Sequence, residues 1–302
     1  MGTMDVHARR RALLALAVVA LLALVVGIGL GQAGPSDSPP SRTTAGTPAA
    51  VLPMRAALRA TAPGRALAVP TPAAVATARR YAGTRQGRVS FAVIGSGGRL
   101  QGLRTMAAFP SASLVKAMLL AALLRRPDAA RRALTPGERG LAEPMIRRSD
   151  NDSATAVLRL VGDQGLTALA RRVGMRGFSI SGSWAESRLN AADQARFFRA
   201  LPRVVPARHL GYARQLLSSV VPEQSWGIPR AARPRFRVFF KGGWRPGALG
   251  NLVHQAARLE SRSGASVLSL AVLSDGNPSH AYGTETVRGV ATRLCAATGS
   301  RA

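Results

Sequence analysis

The sequence predicts an α+β fold with a mostly antiparallel sheet, because strand-like runs stand at both ends of the domain and helical segments fill the middle. Two runs near its start, 89–94 and 100–106, are rich in apolar and β-branched residues. Three more, 236–241, 252–259 and 266–274, stand near its end. This order favours a sheet assembled from both ends of the segment, with the middle helices forming a second lobe.

The composition limits the class of protein. Apolar residues make up 47% of the 302 residues, which is enough for a sizeable core. The formal net charge is +28, but the arginines occur singly or in pairs beyond residues 9–11, so they predict a solvated surface and no specific nucleic-acid site. The single cysteine, Cys295, excludes an internal disulfide and a multi-thiolate metal site. The four histidines lack metal-ligand spacing, and we predict no metal and no cofactor.

Residues 1–33 have the features of a membrane-targeting segment. Three arginines, 9–11, precede an uninterrupted apolar run at 12–30, whose length is close to the ~20 residues that a spanning helix needs. A secretory signal has the same order of features, and the small residues at 31–33 offer a cleavage site. We therefore expect the rest of the chain to lie outside the cytoplasmic membrane, either anchored by this segment or secreted after its removal.

The remaining chain divides into a linker and a folded domain. Residues 34–72 are rich in proline, alanine and threonine without apolar periodicity, which is typical of a linker. The folded domain, 73–302, is predicted to start with a helix at 73–81, and the glycines at 95–98 predict a turn between its first two strands. Further helices are predicted at 141–160 with a break around Ser149, 166–173, 192–201, 211–221 and 282–297.

One predicted helix carries a serine and one of only two lysines. Lysine occurs at 116 and 241, so 40 of the 42 Lys+Arg residues are arginine. Ser113 and Lys116 are three residues apart and share a helix face. An amine can lose its proton whereas a guanidinium cannot, so Lys116 can activate the serine if burial lowers its pKa from about 10.4 toward 7. The spacing alone also arises by chance.

Two further motifs combine side chains that suit a substrate cleft. Ser149-Asp150-Asn151 places a hydroxyl and an amide together at a helix start, although such a tripeptide is also typical of a helix cap. Lys241-Gly242, followed by a second glycine, ends a strand-like run. Glycines there let a substrate backbone lie close to a strand edge, and an ordinary strand end followed by a turn is the alternative.

Together and in this order, the three motifs resemble the Ser-x-x-Lys, Ser-Asp-Asn and Lys-Thr-Gly set of class A β-lactamases and penicillin-binding proteins. The resemblance covers about 72–302 and includes the flanking Phe109-Pro110 and 148–154. It implies a β-lactamase/transpeptidase-like fold, in which a five-stranded antiparallel sheet is flanked by helices and joined by an all-helical lobe.

The resemblance also implies catalytic roles. Ser113 would be the nucleophile that forms the acyl-enzyme, and Lys116 its base or proton relay. Ser149 would pass the proton to the leaving nitrogen. Glu186 begins a Glu-x-x-Leu-Asn segment like that of the class A omega loop, which implies a base that activates the deacylating water. The next predicted helix follows this segment at once, so the second half of the usual loop is missing, and a solvated loop carboxylate is the alternative for Glu186.

Substrate-binding roles are implied for Asn151, Lys241, Gly243 and Trp244. Asn151 would bind the substrate amide, and Lys241 and Gly243 would line the opposite strand. The backbone N–H of Trp244, with that of the serine nucleophile, would form the oxyanion hole.

Gly242 is a departure from the family pattern, because it lacks the threonine hydroxyl that helps hold a substrate carboxylate. Arg245 stands nearby as a substitute cation. The stretch between Lys116 and Ser149 is also short, so a segment of the helical lobe is trimmed.

The sequence thus predicts an extracytoplasmic β-lactamase-like serine hydrolase that works through a serine acyl-enzyme. Its partners would be a small-molecule substrate, such as a β-lactam or a peptidoglycan-like peptide, and the membrane through the N-terminal apolar segment. Two alternatives stay open. One is a D-alanyl-D-alanine peptidase or esterase on the same scaffold. The other is a catalytically silent cell-wall-binding protein, which Gly242 and the trimmed lobe favour.

Overall fold

The computed structural model describes residues 70–264 and 266–296. The predicted targeting segment, 1–33, and the linker up to residue 69 lie outside the described residues. Within the described part of the chain, no helix is both long and apolar enough to cross a bilayer.

A five-stranded antiparallel sheet forms the centre of the domain. The strands of the described chain are β1 (Arg88–Ile94), β2 (Leu100–Leu103), β3 (Phe109–Pro110), β4 (Arg188–Leu189), β5 (Phe236–Gly247), β6 (Gly250–Ser261) and β7 (Val267–Asn277). The sheet order is β2-β1-β7-β6-β5, while β3 and β4 form a separate two-stranded sheet. Strand β1 pairs with β7, where Ala92 lies opposite Ala271. The predicted joining of early and late strands is therefore confirmed.

Eight helices surround this sheet in the described residues: α1 (Pro72–Gly83), α2 (Lys116–Leu124), α3 (Pro136–Arg147), α4 (Asn151–Val173), α5 (Ala191–Val204), α6 (Ala207–Ser218), α7 (Ile228–Ala232) and α8 (His280–Cys295). Helices α1 and α8 pack together on one face of the sheet, and α5 packs on the other. Helices α2, α3 and α4 form the predicted helical lobe. These layers confirm the predicted β-lactamase/transpeptidase-like fold.

Helix α2 is buried along its whole length. Every residue from 116 to 124 is buried, and all but Lys116 are apolar. A helix that is apolar on all sides belongs in a core, because no face of it gains from contact with water. It lies against α4, α3 and β5, and so joins the helical lobe to the edge of the sheet. Burial of this helix carries Lys116 into the interior.

The break predicted around Ser149 is confirmed by the ends of two helices. Helix α3 ends at Arg147, and α4 begins at Asn151, where the side chain of Asp150 accepts a hydrogen bond from the N–H of Ser153 at 2.7 Å. A carboxylate at this position satisfies a backbone donor that the first helical turn leaves unpaired. The separate helix predicted at 166–173 is confirmed as the second part of α4, because the backbone at Gly162, with φ of 69° and ψ of 164°, is not helical and divides the element in two.

Candidate active site

Ser113 lies in a 3₁₀ turn, Ala112–Val115, immediately before α2. The backbone N–H of Lys116 donates to the carbonyl of Ser113, and residues i and i+3 eclipse each other in such a turn. The α-helix predicted to carry both residues therefore begins only at Lys116. The 3₁₀ turn nevertheless keeps the two side chains on one face.

Backbone strain concentrates beside this turn. Among the described residues, the non-glycine residues with positive φ are Arg104, Ala112 and Ser149, at 46°, 45° and 61°. Such conformations cost about 1–3 kcal/mol each and persist only where the surrounding structure enforces them. Two of the three belong to the predicted catalytic segments. Ala112 directly precedes Ser113, and Ser149 is itself one of the strained residues.

Hydrogen bonds from the 184–187 segment hold the strained turn in place. The N–H of Ser111 donates to the carbonyl of Ser187 at 2.8 Å, and the N–H of Ala112 donates to that of Ala185 at 3.0 Å. The buried hydroxyl of Ser111 donates to the carbonyl of Trp184 at 2.7 Å. The pairing of β3 with β4 extends this ladder. The loop that contains Glu186 is thus fixed to the nucleophile turn.

The amine of Lys116 is wholly buried and points at the second motif. Its Nζ donates to the carbonyl of Ser149 at 2.6 Å and to Oδ1 of Asn151 at 2.7 Å. Burial lowers the pKa of Lys116 to about 7, against the opposing effect of the Asp150 carboxylate. Nζ also donates to the hydroxyl of Ser149 at 3.4 Å, so all three hydrogen bonds of this amine go to the second motif. A neutral amine has two N–H donors and can satisfy only two of these three acceptors.

Ser149 lies between the two lysines of the protein. Its hydroxyl is 3.4 Å from Nζ of Lys116 and accepts a hydrogen bond from Nζ of Lys241 at 3.1 Å. Lys241 is also wholly buried and donates to the carbonyl of Gly242 at 2.8 Å. Burial lowers the pKa of Lys241, and the neighbouring Lys116 lowers it further. The three side chains form one line along which a proton can pass.

Gly243 permits strand β5 to lie against the nucleophile turn. A Cβ at this position would stand 2.6 Å from the backbone nitrogen of Leu114 and 2.9 Å from that of Ser113. No side chain fits at these distances, so the site requires glycine for a steric reason. The close approach brings the main chain of Gly243 beside the backbone nitrogens of Ser113 and Leu114. Asn151, the first residue of α4, is exposed on the opposite helix.

Glu186 lies apart from this network. Its side chain is 58% exposed, and its carboxylate pairs with the guanidinium of Arg245 on β5 at 2.8 Å. Helix α5 begins at Ala191 directly after the Glu-x-x-Leu-Asn segment, as predicted. The side chain of Asn190 caps that helix by accepting from the N–H of Asp193 at 2.8 Å. The structure therefore places Glu186 with Arg245, and no hydrogen bond joins it to Lys116 among the described residues.

Sequence reasoning missed Trp184. The ring of Trp184 lies 4.5 Å from Nζ of Lys116, and its Nε1 donates to the hydroxyl of Thr155 at 3.1 Å. The rings of Trp226 and Trp244 meet edge to face beside Gly242 and pack against the hydrophobic core. The protein has three tryptophans in all, and this scarcity was the available signal.

The comparisons with known proteins agree with this fold. A family model described as the beta-lactamase enzyme family matches residues 135–298. No curated protein sequence matches the chain.

Several solved structures share the fold. A beta-lactamase from Sphaerobacter thermophilus is 22% identical, with a TM-score of 0.63 over 74% of this chain and 95% of that chain. A beta-lactamase from Xanthomonas campestris is 18% identical, with a TM-score of 0.64 over 75% and 98%. A structure of PBP-A is 14% identical, with a TM-score of 0.62 over 74% and 95%.

Proposed function

The chain belongs to the beta-lactamase enzyme family, and we propose that it is a serine hydrolase that forms an acyl-enzyme on Ser113. The observation that carries this proposal is the buried amine of Lys116, whose donors are fixed by Ser149 and Asn151 at 2.6 and 2.7 Å. Its substrate class is a β-lactam or a related amide or ester. We further propose an extracytoplasmic location, which rests on the arginines and apolar run of residues 9–30.

In the proposed acylation step, the neutral amine of Lys116 takes the hydroxyl proton of Ser113 as Oγ bonds to the substrate carbonyl carbon. Negative charge develops on the carbonyl oxygen, beside the backbone N–H groups of Ser113 and Trp244. The proton then passes from Lys116 to Ser149, whose own hydroxyl proton goes to the leaving group. The bond from the carbonyl carbon to the leaving nitrogen or oxygen breaks, and the acyl-enzyme remains. Lys241 orients the Ser149 hydroxyl throughout.

Deacylation is proposed to be the slower half of the reaction. Glu186 is the proposed base for the attacking water, but its carboxylate is held by Arg245 at 2.8 Å. It must leave that guanidinium before it can accept a proton from water near Ser113. An ion pair of two half-exposed side chains costs up to about 1 kcal/mol to break. The movement from the rim of the cleft to the acyl group adds to that cost.

A peptidase or esterase on the same scaffold is a second candidate function. The position of Glu186 favours it, because penicillin-reactive proteins without a deacylating base retain the acyl group. Gly242 favours it as well, since it supplies no hydroxyl to a substrate carboxylate.

The test is to incubate the full-length protein with a chromogenic cephalosporin, and separately with a labelled penicillin, followed by intact mass measurement. We expect a covalent adduct that disappears in Ser113→Ala. Rapid colour change with little adduct supports a β-lactamase, and a persistent adduct supports the peptidase or esterase. Absence of any adduct or turnover, with neutral esters also inert, would refute the acyl-enzyme. Lys116→Arg keeps the charge but removes the base, so it serves as the matched variant.

A further inference from the structure

Three aromatic side chains from different elements meet at one end of the cleft. Trp226 comes from the segment before α7, Trp244 from β5, and His280 is the first residue of α8. Their ring centroids are 5.8, 5.5 and 5.9 Å apart for the three pairs. Trp226 is buried, while Trp244 and His280 are half-buried. The cluster therefore presents partly open aromatic surface.

This aromatic cluster adjoins the nucleophile through two residues of β5. Ring atoms of Trp226 lie 3.5 Å from the point where a Cβ of residue 242 would stand. A Cβ on the next residue, Gly243, would point to the other face of β5 and stand 2.9 Å from the backbone nitrogen of Ser113. Because β5 is the edge strand of the sheet, a substrate bonded to Ser113 and lying along that edge would extend onto Trp244 and toward Trp226.

Two charged side chains of β5 lie beside the aromatic cluster. The terminal nitrogen of Arg245 binds the carboxylate of Glu186 at 2.8 Å, and the amine of Lys241 donates to Ser149 and to the carbonyl of Gly242. Burial lowers the pKa of His280, which favours its neutral form at neutral pH. A substrate carboxylate at this end would have to compete with Glu186 for Arg245, of which only the buried Nε lacks a partner among the described residues, and its desolvation is costly.

Neutral polar atoms beside the cluster suit a different ligand. Nε2 of His280 is buried without a hydrogen-bond partner among the described residues. The same holds for Nε2 of Gln255, which lies opposite Gly242 across β5 and β6, while its Oε1 accepts from the N–H of Ile228 at 2.7 Å. A buried polar atom gains free energy from a partner of matching polarity. Such atoms fit the uncharged carbonyl or hydroxyl groups of a ligand.

We propose that Trp226, Trp244 and His280 form a subsite for an uncharged planar group beside the scissile carbonyl. Ser113 then reacts with neutral amides or esters in preference to substrates that carry a carboxylate at this position. This preference depends on the acyl-enzyme chemistry proposed above and names the substrate class of the same site. Two indole faces supply apolar contact to a planar group, and the neutral polar atoms orient it.

The experiment compares a penicillin with the methyl ester of its carboxylate on the full-length protein. The rate of adduct formation on Ser113 is measured by intact mass. Each rate is then divided by the rate at which hydroxide hydrolyses the same compound, which corrects for differences in intrinsic reactivity. We expect the ester to react about tenfold faster, since the free acid must desolvate an unpaired charge. Equal rates, or a faster free acid, would overturn the subsite. If neither compound labels Ser113, the proposed function fails as well.

Gly242→Thr tests the structural origin of the preference. A Cβ at residue 242 makes only ordinary contacts, at 3.5 Å from Trp226 and from Gln255, so the variant is expected to fold. The methyl group of the introduced threonine would narrow the space beside the indole of Trp226, and its hydroxyl would offer a hydrogen-bond donor to a substrate carboxylate. The ratio of the ester rate to the free-acid rate should therefore fall toward one. Leu249→Ala is the matched control, because this side chain on the β5–β6 turn is 84% exposed and should leave the preference unchanged.

Binding can also be separated from chemistry. Ser113→Ala cannot be acylated, and two of the three tryptophans lie in the subsite. Tryptophan fluorescence of that variant should respond to the ester at lower concentration than to the free acid. A tighter response to the free acid would contradict the subsite even if acylation proved slow.

Discussion

The pKa of Lys116 predicts how acylation depends on pH. Burial lowers that pKa from 10.5 to about 7, so about half of the molecules have a neutral amine at pH 7. An exposed lysine with a pKa of 10.5 would be neutral in only about one molecule in 3,000. The fold therefore raises the population of the free base by about a thousandfold at neutral pH. The gain depends on keeping Lys116 out of water.

The assay is single-turnover acylation, with enzyme in excess, followed across a range from about pH 5 to about pH 9. The rate should rise about tenfold per pH unit at the acidic end and level off above about pH 8, where the amine is neutral. Ser113→Ala supplies the blank for spontaneous hydrolysis. A rate that does not change across this range would refute the assignment of Lys116 as the base.

Asp150→Asn provides the matched perturbation. The carboxylate of Asp150 raises the pKa of Lys116, and its oxygen also caps α4 by accepting from the N–H of Ser153 at 2.7 Å. Asparagine keeps a capping oxygen but removes the charge. The midpoint of the pH profile should therefore move to lower pH, with the fold retained. A midpoint that stays in place would show that another group controls the profile.

Three further predictions concern other parts of the domain. Gly243→Ala should slow acylation by about 100-fold, because the new Cβ would stand 2.6 Å from the backbone nitrogen of Leu114 and displace β5. Acylation at the wild-type rate would contradict the close approach of β5 to the turn that carries Ser113. Glu186→Gln should leave acylation intact, so acyl-enzyme should accumulate in an intact-mass time course. Arg245→Gln should speed turnover, because it releases the carboxylate of Glu186. Unchanged turnover in both variants would remove Glu186 from the mechanism. Glu138→Gln should lower stability by about 2 kcal/mol at neutral pH. The hydrogen bond from Arg132 lowers the pKa of Glu138 to about 2, from 4.5 in the unfolded chain. The contribution of the Glu138 carboxylate to the free energy of unfolding is therefore complete above pH 4.5 and is lost as the pH falls toward 2. Melting curves of the variant and the wild type at each pH measure this contribution, and equal melting temperatures at neutral pH would contradict the prediction.

Local patterns were sufficient to predict much of the fold. Strand β1 and helix α2 were predicted from apolar runs, and the break before Asn151 from a polar turn segment. These features depend on residues that are neighbours in the chain. The two helical segments of α4 were predicted separately, and the non-helical backbone at Gly162 divides them, since glycine adopts positive φ without steric cost.

The same distinction applies to the site. Ser113 and Lys116 could be proposed as a pair from their spacing, because a single 3₁₀ turn fixes their relation. The role of Trp184 could not, since its ring approaches Lys116 only after the 184–187 segment has paired with the nucleophile turn. Neither could the ion pair of Glu186 with Arg245, whose partners are 59 residues apart.

For this protein, the sequence alone indicated the family and the order of the main strands and helices, and it led us to propose the Ser113–Lys116 pair. Each of these is encoded by residue type at short spacing. The tertiary structure decided which groups surround that pair. Lys116 donates a hydrogen bond to Asn151, which is 35 residues away in the sequence, and Lys241 donates one to Ser149, which is 92 residues away. Burial sets the pKa of Lys116, and the aromatic cluster beside Gly242 exists only where three elements converge. Desolvation and long-range contact are properties of the folded chain, so no local pattern contains them.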